Sequence, residues 1–189
     1  AGEVAKPDFM PGSRPAGMGQ AFNALSDGTS GVFNNPAGIA RAYMYSVDGT
    51  FAYTPTGNIL SASIVDSKTN PQVAAGAGVG YYFSRGEGAQ VTALDARAPI
   101  AVPVVQDRVS IGVAGRFLRT RVGEIETING FTLDAGALFR IVDQLHVGVV
   151  GHNLIDPCKQ ATCRGVAPML VGGGIAYATP TFAISVCNI

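Results

Sequence analysis

Apolar and polar residues alternate along most of the chain after residue 42. In the stretch RVSIGVAGRFLRT, one parity is apolar and the other carries small or polar side chains. Because successive side chains of a strand point to opposite faces of a sheet, a period of two predicts β-strands. The pattern occurs in nine stretches, which we predict as strands: 43–53, 59–65, 73–83, 91–102, 108–120, 131–141, 145–153, 169–177 and 182–187.

Two architectures accommodate this pattern, and they differ in where the apolar parity points. In a soluble β-sandwich the apolar faces meet inside, and the outward parity is rich in Lys, Glu and Thr. Here the second parity is instead crowded with Gly, Ala and Ser and holds only isolated charges. Small residues suit the narrow lumen of a transmembrane antiparallel β-barrel whose apolar face meets lipid. We therefore predict an all-β membrane barrel, with the soluble sandwich as the alternative.

Composition favours the barrel. Only 14% of the 189 residues are charged, against about 25% in soluble domains. No stretch approaches the roughly 20 consecutive apolar residues of a membrane helix. The formal net charge is zero, whereas a nucleic-acid partner requires a basic surface. The sequence therefore predicts a protein in contact with lipid and no nucleic-acid partner.

Some residues of the small-residue parity are candidates for specific roles inside a barrel. Glycine within a strand can mark a bend, which makes three glycines candidates for a strand kink or lateral gate: Gly76, Gly78 and Gly80. The preferred alternative is that these small residues only make room for an inserted segment. Four charged residues are expected to face the lumen and to pair with one another or with that segment: Asp48, Arg116, Asp134 and Arg140.

Residues 1–41 do not alternate. They offer a short helical piece around residues 18–25, a polar break at 26–30, and then the apolar turn GVFNNPAGIA. Proline disfavours the helical conformation in the residue before it and is well placed at the first position of a helix. If Pro36 begins a helix, Asn35 is its N-cap. An apolar turn is sensible if a barrel covers it, so we predict that this segment lies in the lumen.

The stretch GMGQAFNALSDGTSGVFNNPAGIA resembles the N-terminal signature of the FadL-like outer-membrane transporter superfamily, which includes PorV-type proteins. The later stretches GVVGHNLIDP and APMLVGGGIAYAT are similar to segments that these proteins carry. In that superfamily the N-terminal segment is a hatch that plugs a 14-stranded barrel. The resemblance implies a hatch over residues 1–41, barrel strands over 42–189, and a hatch motif at Asn35, Pro36, Ala37 and Gly38.

The resemblance also implies a location and a function. The protein is expected in the bacterial outer membrane, in contact with its lipid, where it passively transports hydrophobic small molecules. The alternative is a non-transporting, PorV-like scaffold or anchor for other outer-membrane or secreted proteins. The 148 residues after residue 41 make about nine strands, an odd number where single-chain bacterial barrels have an even one. We therefore expect an incomplete sequence of a 14-stranded barrel, or else a smaller barrel or one that another chain closes.

No catalytic constellation is evident, since GxSxG, HExxH and a phosphate-binding loop are all missing from the sequence. We therefore predict neither an enzyme nor a cofactor. His146 and His152 share one parity, but six residues of strand span about 20 Å, too far to share a metal ion. Cys158 and Cys163 lie in the polar stretch DPCKQATC and could close a small disulfide loop in an oxidising compartment, with free thiols as the alternative.

Overall fold

The computed structural model describes residues 18, 21–84, 90–157 and 167–188. The strands formed by these residues make one sheet, in which each strand pairs antiparallel with the next one along the chain. All nine predicted strands are confirmed, with differences at their ends. The strands are β1 (Tyr45–Tyr53), β2 (Gly57–Asp66), β3 (Ala74–Ser84), β4 (Val91–Val105), β5 (Val109–Val122), β6 (Ile125–Arg140), β7 (Leu145–His152), β8 (Leu170–Ala178) and β9 (Ala183–Asn188). The cysteines of the predicted disulfide, Cys158 and Cys163, lie outside the described residues.

The largest difference is at the start of β6, which begins at Ile125 rather than at residue 131. Its first residues pair with the end of β5, with Ile125 opposite Val122. The tight turn between the two strands places Gly123 at a φ of 61°, a conformation that glycine adopts without steric cost. Cross-strand pairing thus extends β6 over the polar residues ETING, which a hydrophobic pattern does not mark as strand.

One face of the sheet is apolar and exposed. The register places apolar residues opposite one another on neighbouring strands, such as Val47 opposite Ile64 and Ile100 opposite Val113. The relative exposure is 78% for Val47, 56% for Val113 and 58% for Ile175. Every strand contributes at least one exposed apolar side chain to this face: Val47 and Phe51, Leu60 and Ile64, Val79 and Tyr81, Ile100, Ile111 and Val113, Phe131 and Leu133, Val149, Ile175 and Tyr177, and Ile184 and Val186.

The opposite face carries the small and polar parity, and the N-terminal segment packs against it. We use the term N-terminal segment for the described residues 21–41. A buried apolar cluster joins this segment to strands β2, β3 and β4, and its members are Val32, Phe33, Ile39, Val65, Ala74 and Ala101. The main core of the described chain therefore lies between the segment and the small-residue face.

Two elements within the segment can be compared with the sequence. Residues 21–25 form turns rather than the predicted helix, and a one-turn helix, α1 (Gly28–Gly31), lies where a polar break was predicted. Ser30 caps α1 by accepting a hydrogen bond from the Asp27 backbone N–H at 3.2 Å. The expectation for Asn35 is confirmed, because a 3₁₀ helix runs over Pro36–Ala40 with Asn35 as its N-cap. No helix in the described ranges has both the length and the hydropathy of a membrane span.

Candidate functional site

Glycines on the small-residue face bring the segment into backbone contact with the sheet. A Cβ atom on Gly112 of β5 would lie 2.6 Å from the carbonyl carbon of Pro36. A Cβ atom on Gly148 of β7 would lie 2.5 Å from the backbone oxygen of Asn23. Contacts this short leave no room for a side chain, so these glycines allow two backbones to approach closely. The turn around Asn35 and Pro36 therefore lies directly on β5, β6 and β7.

Asn35 is fully buried and connects the segment to β6 and β7. Its side-chain amide donates to the backbone oxygens of Asn23 at 3.2 Å, Ala137 at 3.4 Å and Val149 at 3.2 Å. Its side-chain oxygen accepts from the backbone N–H of Ala37 at 3.2 Å. An amide provides both the donors and the acceptor that this position requires. Asn35 thus caps the 3₁₀ helix and holds the segment against two strands with the same side chain.

Three buried charged residues and one partly buried arginine on three adjacent strands form the second anchor, which we call the charge cluster: Asp95 and Arg97 on β4, the partly buried Arg116 on β5, and Asp134 on β6. Asp95 accepts from Arg97 and from Arg116, each at 2.8 Å. Asp134 lies 3.3 Å from Arg97. Two guanidinium groups and two carboxylates balance, so the cluster has no formal net charge.

The charge cluster reaches the segment through Arg97. Its Nη1 donates to the backbone oxygen of Phe33 at 2.5 Å, and its guanidinium lies 5.5 Å from the centre of the Phe33 ring. A cation over an aromatic face adds electrostatic attraction. The side chain of Arg97 therefore couples the position of Phe33 to the charges on the sheet.

The cluster also holds the start of the connection between β7 and β8. Asn153, at a φ of 55°, donates its backbone N–H to Asp134 at 2.9 Å and accepts from Arg116 at 3.0 Å. Nδ1 of His152 lies 3.1 Å from Asp134. A buried ion network gives little net stability against an apolar core, but removal of one member leaves an unbalanced charge. Loss of any one charged member of the network is therefore expected to destabilise the docked arrangement.

A third contact lies at the end of the sheet where β1 begins. Nη2 of Arg41 lies 2.8 Å from Nδ1 of His146. Arginine has only donors, so Nδ1 of His146 is the acceptor and the ring is neutral. Burial lowers the pKa of the Arg41 guanidinium, and the positive charge of Arg140 lowers it further. Positive charge is therefore concentrated at this end of the small-residue face.

The structure places the predicted lumen charges in three different settings. Arg116 and Asp134 are brought together in the charge cluster. Arg140 lies apart from them, beside Arg41 at the end of the sheet. Asp48 shares the small-residue parity but is exposed, and it accepts a hydrogen bond from Thr50 at 3.0 Å. Of the four predicted lumen charges, Arg116 and Asp134 are thus the two that lie close to each other.

The three candidate kink glycines also differ. A Cβ atom on Gly78 would lie 2.6 Å from Val32 and 2.8 Å from Phe33, so this glycine makes room for the segment. A Cβ atom on Gly76 would lie 2.9 Å from the backbone oxygen of Ile64, on the neighbouring strand β2. Gly80 is buried and pairs with both neighbouring strands. A role as a lateral gate stays a prediction.

Sequence reasoning missed Asp95 and Arg97. Both lie in the stretch ALDARAPI and share the parity of the small-residue face. Two opposite charges two residues apart on an otherwise small and apolar parity indicate a buried pair, because isolated charges are rarely buried. This signal was present in the sequence, whereas the partners on β5 and β6 depend on the register.

Among the described residues, no group of three His, Cys, Asp or Glu side chains is placed to hold a metal ion. Comparisons with protein-family models, curated proteins and solved structures found no match for this chain. The fold and the site thus define an all-antiparallel β protein with one exposed apolar face and an N-terminal segment anchored to the other.

Proposed function

We propose that the chain forms part of the wall of a FadL-like β-barrel in the bacterial outer membrane, with the N-terminal segment as its hatch, and that it passively transports hydrophobic small molecules. The observation that carries the proposal is the exposed apolar face, to which every strand contributes. Monomeric soluble proteins rarely expose apolar patches larger than a few hundred Å². Such a face is expected to contact the acyl chains of membrane lipid.

The opposite face supports the same proposal. In hydrocarbon every backbone polar group needs an internal partner, and antiparallel pairing between strands supplies it. The charged groups of the cluster lie on the side away from the apolar face, against the N-terminal segment. Polar groups within a membrane protein are expected on the interior side. A membrane wall explains why apolar residues are exposed while charged residues are buried.

A pair of tryptophan variants tests the membrane assignment. The chain has no tryptophan, so a single substitution reports one position. Val47 and Asp48 are neighbours on β1, both are exposed, and their side chains lie on opposite faces. In vesicles whose acyl chains carry bromine, Val47→Trp is expected to lose most of its fluorescence and Asp48→Trp to lose little. Equal quenching of the two variants would contradict a lipid-facing apolar parity.

Transport requires that the segment moves. A hydrophobic molecule can pass only if residues 21–41 leave part of the small-residue face, which they cover with backbone contacts at Gly112 and Gly148. One weak position in the sheet lies near Pro99, which has no N–H to donate to the ladder and faces Gly76 across β3 and β4. We therefore place a lateral exit through the sheet at this position.

The same contacts favour a second candidate function. The segment is held by Asn35, by Arg97 and by direct backbone contact, which is a dense set of anchors for a part that has to move. A permanently closed interior suits a PorV-like scaffold that presents its loops to other outer-membrane or secreted proteins. Transport and scaffolding therefore differ in whether the segment is released.

Uptake measurements separate the two functions. Gly112→Ala forces a Cβ atom against the Pro36 backbone, whereas Gly115, on the same strand, has open space around its Cβ position. Overpacking costs about 1–3 kcal/mol, so Gly112→Ala is expected to raise uptake about tenfold. The measurement is the entry of a hydrophobic fluorescent probe into cells whose outer membrane excludes it.

The matched control is Gly115→Ala, which should take up the probe at the wild-type rate. A moving hatch would be contradicted if cells with the wild type and cells with Gly112→Ala take up the probe at the same rate, and if that rate is above the rate of cells without the protein. Uptake in the wild type and both variants at the rate of cells without the protein would favour the scaffold.

A further inference from the structure

A small open cavity lies at the end of the sheet where β1 begins, beside the end of the N-terminal segment. Elements distant in sequence meet there: the residues after the 3₁₀ helix, the turn from β4 to β5, and the end of β6. Of the residues that the structure describes, three arginines line it, namely Arg41, Arg108 and Arg140, together with one carboxylate, that of Asp107. Positive charge is therefore in excess in the lining.

Two buried donors in this lining have no hydrogen-bond partner among the described residues. They are Nε of Arg140 and Oγ of Ser110. Ser110 is only 4% exposed. A buried donor without a partner destabilises the fold, and more so if it is charged. Unpaired donors of this kind in a native fold call for an explanation, and a ligand with acceptor atoms would supply one.

The positive charges of the other arginines in the lining are only partly balanced by nearby groups. Arg41 donates to the backbone oxygen of Ala24 at 3.4 Å and to a neutral His146 ring. Carboxylates at Asp27 and Asp107 act favourably on its charge, while Arg140 acts against it. Arg108 is exposed at the turn between β4 and β5. A bound anion would relieve the repulsion between Arg41 and Arg140.

We propose that this cavity binds a phosphate-class oxyanion. Guanidinium groups match phosphate oxygens with paired hydrogen bonds, and donors come from three elements as well as from Ser110. A tetrahedral oxyanion offers acceptors in more directions than a planar carboxylate does. The phosphate is either free or the head group of a lipid, since both carry the same acceptor oxygens. The site goes beyond the proposed function and does not depend on transport.

Binding of inorganic phosphate tests the proposal. Calorimetric titration of the full chain in an uncharged detergent should show saturable binding. Arg108→Gln removes an exposed cation of the lining, and Ser110→Ala removes a buried hydroxyl without a partner, so both variants should fold. Each variant removes one hydrogen-bond donor to a charged ligand, so each should bind phosphate at least about tenfold more weakly. The control, Arg121→Gln, changes an exposed arginine that faces Glu126 and should bind phosphate as the wild type does.

A second titration, with short-chain phosphatidic acid, identifies the source of the phosphate. Tighter binding of the lipid than of inorganic phosphate, with the same loss in both variants, assigns the site to a lipid head group. Similar affinities assign it to free phosphate. Absence of saturable binding for both probes, or wild-type affinity in both Arg108→Gln and Ser110→Ala, would overturn the proposal.

Discussion

Asn35→Asp is expected to release the N-terminal segment from the sheet. The substitution keeps the shape of the side chain but replaces the amide donor with an oxygen. That oxygen would face the backbone oxygens of Asn23, Ala137 and Val149, all within 3.4 Å of the amide nitrogen. The buried carboxylate would face three acceptors without a hydrogen-bond donor between them and without hydration. We expect this to destabilise the docked segment by at least about 3 kcal/mol.

Hydrogen exchange in the segment measures this effect. Amides of residue 35 and of residues 37–41 should lose about a hundredfold in protection, since 1.4 kcal/mol corresponds to a factor of ten. The defect should shrink as the pH falls, because a protonated carboxyl group is neutral and donates one hydrogen bond.

The adjacent residue provides a matched control. The side chain of Asn34 is half-buried, and within the described part of the chain it donates only to the backbone oxygen of Ser30, at 2.9 Å. Asn34→Asp introduces the same charge one residue away and should change protection by less than about tenfold. Equal loss of protection in both variants would mean that charge alone loosens the segment and that the contacts of Asn35 with β6 and β7 do not hold it.

The strands could be predicted because their information is local. Alternation in RVSIGVAGRFLRT or FTLDAGALFRI needs no knowledge of the rest of the chain, and the parity assigned to each stretch matches its exposed and buried faces. The N-cap role of Asn35 is equally local, because it follows from the conformational restrictions of Pro36. The helix predicted around residues 18–25 shows the limit of this reasoning, because the described residues 21–25 form turns. There, packing on the sheet prevails over a weak helical preference and leaves turns.

The anchors of the segment could not be predicted, because they depend on register. Asp95 meets Arg116 only because β4 and β5 pair with Arg97 opposite Arg116. A shift of one residue would move every charged side chain to the other face. The contact between Gly112 and Pro36 likewise joins residues far apart in sequence. Sequence reasoning thus predicted which faces are polar, while the identity of the partners came from the structure.

Arg97→Met is expected to have the second large effect, on the stability of the whole sheet. The guanidinium of Arg97 is buried among Asp95, Asp134 and the backbone oxygen of Phe33. Its removal leaves two buried carboxylates with Arg116 as the remaining guanidinium of the cluster. Breaking a buried ion pair in this way costs about 3–5 kcal/mol. The free energy of unfolding, measured by denaturant titration in detergent, should fall by this amount.

Two further variants show whether charge balance is the cause. Adding Asp134→Asn to Arg97→Met leaves one carboxylate, that of Asp95, and one guanidinium, that of Arg116, so the charges of the cluster balance again. The Asn oxygen can still accept the hydrogen bond that the Asn153 N–H donates to Asp134. The double variant should therefore be more stable than Arg97→Met alone. Arg119→Met breaks an exposed pair with Glu126 and should cost less than about 1 kcal/mol. If the double variant is less stable than the single one, the hydrogen bonds of Asp134 matter more than the balance of charge, and the cluster acts as a set of separate contacts.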